Sequence, residues 1–192
     1  MSLVGKKILV LGGNGYVGNY FASRLVQQKA TVMAMSRKGL KHSYPENAEI
    51  DWLVGDILAP QKFIEQINSA DIVVHTIGTL FDTSITKGTA PGGPGTYEQV
   101  NRDTMTSLLA TLQSPKRIIY LSSASSPPFI PRYLTTKHEA EEMLLASQHD
   151  GYSMRPGFIY DAKQRWWSVP VKFSISFWSK LYPYAHRIVK VL

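Results

Sequence analysis

The sequence predicts an α/β protein built on a doubly wound parallel sheet. Three observations lead there. Short apolar runs of strand length alternate along the chain with segments whose apolar residues recur at helical spacing. One of those runs, residues 71–77, contains Ile72, Val73 and Val74 in succession, which suits a strand buried on both faces. The first strand signal also runs directly into a glycine-rich turn that opens a helix.

Each element follows from its own signal. Residues 8–11 (Ile-Leu-Val-Leu) read as the first strand, and 16–28 as the first helix, with Val17, Phe21, Leu25 and Val26 on one side. Residues 31–35 form the second strand and 50–54 the third, after a polar loop containing Pro45. Pro60 stands where a helix begins, because a missing N–H is harmless in the first turn. Phe63, Ile64 and Ile67 give that helix its apolar face. Residues 71–77 are the fourth strand, and the Gly- and Pro-rich stretch 86–95 reads as an irregular loop. A helix over 97–112 carries Val100, Met105, Leu108, Leu109 and Leu112. Residues 117–121 are the fifth strand, 135–147 a helix and 152–154 a short sixth strand, joined by right-handed crossovers.

Composition narrows the function classes. The 192 residues suffice for one substantial domain and a small appendage. No run of eighteen apolar residues occurs, so no ordinary transmembrane helix is expected. There is no cysteine, which removes disulfides, thiolate metal sites and a cysteine nucleophile; no metal site is expected. The first strand starts too early to leave room before it for a secretory signal or an arginine-rich presequence, so an organellar address would lie elsewhere or have been removed.

The net charge of +7 is unevenly placed. Residues 160–192 carry Lys163, Arg165, Lys172, Lys180, Arg187 and Lys190 against Asp161 alone, and three of the four tryptophans. The expected organisation is therefore a nucleotide-binding domain over 1–161 and a basic, aromatic tail over 162–192. Residues 171–182 fit a strand or a helix equally well. The tail suits a membrane surface or a membrane protein complex as partner, with the domain itself as the other surface it would cover. Nucleic-acid binding is not expected, because the cations are few and no recognition motif is present.

The chemistry is concentrated in four places. In Gly12-Gly13-Asn14-Gly15-Tyr16-Val17-Gly18, Gly12 permits a tight turn, Gly15 lets a pyrophosphate approach the backbone, and Gly18 lets the helix pack on the sheet. Tyr16 and Val17 open the helix, whose N-terminal amides attract phosphate. Ser36, Arg37 and Lys38 end the second strand where an acidic residue would otherwise hold the ribose hydroxyls. Cations there favour NADP(H) over NAD(H), the other reading being a solvated basic loop. Asp56, followed by Ile57, suits either an adenine amino group or a turn leading into a helix. Gly78 lets a cofactor lie against the end of the fourth strand, while His75 reads as a core histidine. Tyr133 and Lys137 share a helical face. The ammonium would hold the nicotinamide ribose and lower the phenol's pKa, making Tyr133 a proton donor and acceptor.

These pieces, together with Asn101, Ser122-Ser123 and Arg155-Pro156-Gly157, resemble the short-chain dehydrogenase/reductase superfamily in its extended or atypical branch, over about residues 6–161. The resemblance implies a Rossmann-like sheet, with Asn101 beginning the central helix and Pro156 and Gly157 near the nicotinamide. Within it, Met-Ser-Arg-Lys-Gly, Val-Val-His-Thr-Ile-Gly, Tyr-Leu-Thr-Thr-Lys-His-Glu-Ala-Glu and Arg-Pro-Gly-Phe-Ile-Tyr-Asp are similar to two mitochondrial groups. These are the fungal proteins associated with coenzyme Q biosynthesis and the nucleotide-binding accessory subunits of respiratory complex I. That likeness implies the mitochondrial inner membrane and a link to the respiratory chain or ubiquinone.

Two departures stand out. Catalytic members commonly place a Ser or Thr where this chain has Ala124, leaving Ser123, or its neighbours Ser122 and Ser125, to take the role. Such members also usually continue into a larger substrate region. Both favour cofactor binding without efficient turnover. The expected function is an NADP(H)-binding accessory subunit. The alternatives are an NADP-dependent oxidoreductase acting on a quinone-like or isoprenoid intermediate, and a redox-sensing regulator.

Overall fold

The computed structural model describes residues 2–39, 49–126, 130–157 and 159. The described helices and strands all lie in one compact unit, Met1–Arg155. The expected tail over 162–192, with the strand-or-helix question at 171–182, lies outside the described residues.

Six strands form one sheet: β1 (Lys7–Leu11), β2 (Thr31–Ser36), β3 (Asp51–Val54), β4 (Ile72–His75), β5 (Arg117–Leu121) and β6 (Asp150–Met154). Their order is β3-β2-β1-β4-β5-β6 and every pairing is parallel. The order reverses direction between β1 and β4, so a crevice opens outside the carboxyl ends of those two strands. This is the Rossmann-like doubly wound sheet expected from the sequence.

The alternation within β1 explains the layers. Leu9 and Leu11 face one side, where Val73, Ile118 and Tyr120 join Met105, Leu108, Ala140 and Leu144. Ile8 and Val10 face the other, against Ala22 and Val26 of helix α1 (Tyr16–Gln27). All four β1 side chains from Ile8 to Leu11 are buried, so each stabilises the fold by about 1.5–3 kcal/mol relative to exposure. Helix α1 turns Gly18, Asn19, Ala22, Ser23 and Val26 inward, a stripe at helical spacing made mostly of small residues.

The helices depart from expectation at their starts. Residues 60–63 form a 3₁₀ turn before helix α2 (Ile64–Ser69), with Pro60 in the first turn. The loop expected over 86–95 begins as helix α3 (Thr83–Lys87). Asp82 caps it by accepting from the Ser84 amide at 2.7 Å, and Gly88 ends it at φ 67°. The helix expected over 97–112 is interrupted: a π-helical turn, Glu98–Asp103, precedes α4 (Thr104–Thr111). Helix α5 (Pro131–Ala146) starts four residues before the expected 135, with Pro131 in its first turn. Its first turn is polar, which hid it from apolar periodicity, and it therefore already contains Tyr133. Among the described residues, no helix is long and apolar enough to cross a membrane.

Candidate cofactor site

The glycine turn is fixed from three sides. The Gly12 and Gly13 amides donate to the Met35 carbonyl of β2 at 3.0 and 3.1 Å, and the Gly15 amide closes the turn onto Gly12 O at 2.8 Å. The Thr76 hydroxyl donates to Leu11 O at 2.7 Å, tying the end of β1 to the residue after β4. A Cβ on Gly12 would lie 2.9 Å from Thr76 Oγ1, and one on Gly18 would lie 2.6 Å from the same atom and collide with Gly12 O. Gly12 also has φ 81°, a left-handed conformation that favours glycine. Gly15 differs: it is exposed, has extended backbone as the N-cap of α1, and its nearest neighbour to an added Cβ is Gly12 O at 3.1 Å. Gly12 and Gly18 are therefore packing glycines, whereas Gly15 keeps the outer face of the turn open. The first-turn amides of α1, which no helix carbonyl can accept, begin at Tyr16 and Val17.

The edge of the crevice is made by the ends of β2 and β3. Ser36 ends β2 and donates to Gly39 O at 3.3 Å, rounding a turn that leaves Arg37 and Lys38 exposed. Asp56 adopts the turn reading: its Oδ1 accepts from the Leu58 amide at 3.0 Å and its carbonyl accepts from the Ala59 amide at 2.9 Å. The Ile57 side chain is buried in the core. Pro156 and Gly157 fall in the chain's second unit, Pro156–Leu192, and only their covalent neighbour Arg155 is placed in this one.

Lys137 occupies the centre. Its side chain is buried, and Nζ donates to Ile77 O at 3.2 Å and to Leu121 O at 3.0 Å, joining the ends of β4 and β5. The Tyr120 ring lies 4.8 Å from Nζ. A Cβ on Gly78 would come within 2.8 Å of Nζ, so Gly78 makes room for the lysine. Burial pushes the amine down to about 7, against the opposing pull of the Glu141 carboxylate. His75, beneath this layer, is fully buried with its ring edge-on to Tyr120. Burial, reinforced by the Lys137 charge, lowers it to about 3, so it is a neutral core histidine as expected.

Asn101 sits in the π-helical turn and is completely buried. Its Oδ1 accepts from the Thr79 amide at 3.1 Å, Nδ2 donates to Thr136 Oγ1 at 3.3 Å, and its carbonyl accepts from Tyr120 Oη at 3.2 Å. Single wide turns of this kind recur at functional sites. Here the turn hands one asparagine to the loop after β4, to α5 and to β5 at once.

Tyr133 is half-buried, packed edge-to-face on Tyr97 with centroids 5.7 Å apart. Tyr97 donates to Leu80 O at 2.8 Å, which ties the loop after β4 to the phenol's neighbour. The adjacent Arg132 pairs with Glu98 and reaches Ser84 Oγ at 3.3 Å. The expected acidification of Tyr133 is not found: burial raises the phenol, opposed in part by the nearby Ser123, whose own hydroxyl donates to Ser125 O at 2.8 Å. Lys137 shares its helical face, but its amine is spent on two carbonyls. Ser123 is thus the hydroxyl brought beside Tyr133. Thr76, Tyr97, Arg132 and Glu141 were missed as site residues. Thr76 and Glu141 carried a sequence signal, since they lie in the quoted Val-Val-His-Thr-Ile-Gly and Tyr-Leu-Thr-Thr-Lys-His-Glu-Ala-Glu runs.

A glycine cradle at a helix start, an open Gly15 and a buried lysine at the crevice fit a nicotinamide dinucleotide. The profile describing NAD(P)H-binding domains matches residues 12–172. The chain belongs to the NAD(P)H-binding family. Among relatives in sequence, MIOREX complex component 2 of Saccharomyces cerevisiae is 27% identical over 202 residues, covering 81% of this chain and 73% of that protein. An uncharacterised chloroplastic protein of Arabidopsis thaliana is 27% identical over 200 residues, covering 97% of this chain and 62% of that one. Among solved structures, a short-chain dehydrogenase from Leptospira borgpetersenii with bound NAD+ has a TM-score of 0.66 at 16% identity, covering 83% of this chain and 74% of its own. UDP-glucose 4-epimerase from Brucella ovis in complex with NAD has a TM-score of 0.62 at 22% identity, over 79% of this chain and 51% of its own. The structural likeness carries the fold. The chain spans about half the length of that epimerase. This member of the NAD(P)H-binding family therefore has a fold similar to that of short-chain dehydrogenases.

Two measurements follow from this geometry. Gly15→Ala should keep stability within about 1 kcal/mol while weakening nucleotide binding, whereas Gly18→Ala should destabilise by about 1–3 kcal/mol through overpacking. Thermal denaturation with and without nucleotide separates the two effects. Secondly, the folded Lys137 amine titrates at about 7 and an unfolded lysine near ~10.4. Between those values the unfolded chain binds the extra proton, so this group's contribution to stability rises with pH, by up to about 1.4 kcal/mol per pH unit. Denaturant titrations from neutral pH to about 9.5 should show that rise in the parent and its loss in Lys137→Met.

Proposed function

We propose that this chain binds NADP(H) in preference to NAD(H) and turns it over slowly or not at all, as a nucleotide-binding accessory subunit in an organelle. The observation that carries the reading is the resting state of the Tyr133/Lys137 pair. The amine is engaged with the Ile77 and Leu121 carbonyls, and the phenol is shifted away from ionisation. Arg37 and Lys38, exposed beyond the end of β2, support selection of a 2′-phosphate by charge-assisted hydrogen bonds. A yeast relative named as a complex component and a plant relative named as chloroplastic support an organellar, complex-associated role. The mitochondrial inner membrane follows from the family resemblance, and the basic, tryptophan-rich stretch 162–192 supports contact with a membrane surface or membrane complex there.

A second reading, an NADP-dependent oxidoreductase acting on a quinone-like substrate, is favoured by one contact: Ser123 beside Tyr133. In that reading Ser123 orients a substrate oxygen and Tyr133 moves a proton at Oη, while Lys137 holds ribose hydroxyls. A bound nicotinamide would supply or accept the hydride.

Arg37→Ala should weaken NADPH binding roughly ten- to a hundredfold, as loss of a hydrogen bond to a charged group predicts, and leave NADH binding nearly unchanged. Calorimetry with both nucleotides checks this, and equal losses would remove the NADP(H) assignment. Parent protein mixed with NADPH and short-chain quinones should show little oxidation; rapid oxidation abolished in Tyr133→Phe would establish the second reading instead.

A further inference from the structure

Glu141 is a buried carboxylate one helical turn after Lys137, on the same face of α5. A carboxylate is rarely buried unless it is paired. Its partner is Arg155, the first residue after β6. Arg155 Nε donates at 3.0 Å to each Glu141 oxygen and Nη2 also contacts Oε2, while the arginine side chain remains more than half exposed. Burial pushes the Glu141 carboxyl up, but the Arg155 guanidinium more than offsets this and holds it below the usual carboxylate range. A negative charge is thus held inside the protein one helical turn from the lysine, out of direct ion-pair contact with it, and paired with a guanidinium that is exposed.

The groups around the Lys137 amine make this significant. His75 from β4 is neutral, and Tyr120 from β5 is protonated, its phenol raised by burial. On α5, Tyr133 is protonated, and His138 is the residue next to Lys137 in the chain. Asn101 and Gly78 are uncharged. Besides the two carbonyls and the Tyr120 ring, Glu141 is the charged group that favours a cation at Lys137.

We infer that Glu141 and Arg155 act as one positioning unit for Lys137: the carboxylate holds positive charge on the amine, and the arginine sets how much of that field the lysine feels. This rests on the reading that Lys137 faces the cofactor ribose only for its consequence; the electrostatic arrangement itself belongs to the protein alone. It also gives the Arg-Pro-Gly segment a role that starts with its arginine. Because Arg155 is exposed, anything that engages its guanidinium from outside would alter the field at a lysine that is itself inaccessible.

The two partners should act with opposite sign. Removing the carboxylate lowers the titration midpoint of Lys137, and removing the guanidinium raises it, each by on the order of half a pH unit or more. A purely architectural pair would move both the same way, or neither. The test is an NMR titration of the full chain carrying ¹³C-labelled lysine, with the Lys137 signal assigned by its loss in Lys137→Met. Parent, Glu141→Gln, Arg155→Gln and the charge-conserving Arg155→Lys are compared. The expected result is a downward shift for Glu141→Gln, an upward shift for Arg155→Gln and a smaller one for Arg155→Lys. Unchanged midpoints, or shifts of one sign, overturn the inference. Arg155→Lys keeps it open to refutation if Arg155→Gln does not fold, because a midpoint identical to the parent's would show that the bidentate contact is irrelevant. Calorimetry with NADPH on the same proteins separates the two claims: opposite shifts with no nucleotide binding would leave the pair standing and remove the proposed function.

Discussion

Everything at the crevice depends on how closely the glycine turn approaches the end of β4. Thr76 spans that gap, donating to the last carbonyl of β1 while filling the space that side chains on Gly12 and Gly18 would need. Thr76 thereby holds the glycine turn and Gly18, at the start of α1, close to the end of β4. It also fixes the start of the segment Ile77–Gly78, from which a carbonyl reaches Lys137. The glycine turn and the Lys137 end of the crevice are therefore not independent; both hang from the two strands at which the sheet order reverses.

Lys137 poses the opposite problem, a cation removed from water. The protein meets it with two carbonyls, an aromatic face and a remote carboxylate rather than with a direct ion pair. Two carbonyl acceptors satisfy a neutral amine fully and an ammonium incompletely. The charged form has a third donor, which in the proposed function would serve ribose hydroxyls. A lysine so placed is poised between charge states near neutrality. Its partner phenol is not, which is why binding and turnover separate in the functional reading.

The strands and their parallel order were legible because buried strands leave an unbroken apolar run and because a strand-turn-helix glycine pattern constrains backbone, not side chains. Gly12, Gly15 and Gly18 were readable for the same reason, as was His75 from the strand around it. Helix starts were less legible. Pro131 to Thr135 is polar apart from Leu134, so apolar spacing placed the start of α5 too late, and α3 is a five-residue helix defined by an aspartate cap rather than by periodicity. The electrostatics were least legible. The sequence spacing put Tyr133 and Lys137 on one face, but the direction in which the phenol shifts depends on its burial and on where the amine spends its hydrogen bonds. Glu141 ends the Tyr-Leu-Thr-Thr-Lys-His-Glu-Ala-Glu run, and only packing distinguishes it from its exposed neighbour Glu142.

The wide turn at Glu98–Asp103 also governs the interior behind it. Each residue of an α-helix advances the chain by about 100°, so an extra residue in the winding resets the phase of all that follows. Met105 and Leu108 reach the centre of the larger hydrophobic layer only in the phase this turn delivers. Shortening the segment by one residue would put Thr106 in the place of Met105 and turn Leu108 out of its own. The asparagine's polar junction and the oily centre of the domain are thus locked to a single count of residues, and evolution cannot lengthen or trim that stretch for the sake of one without unseating the other.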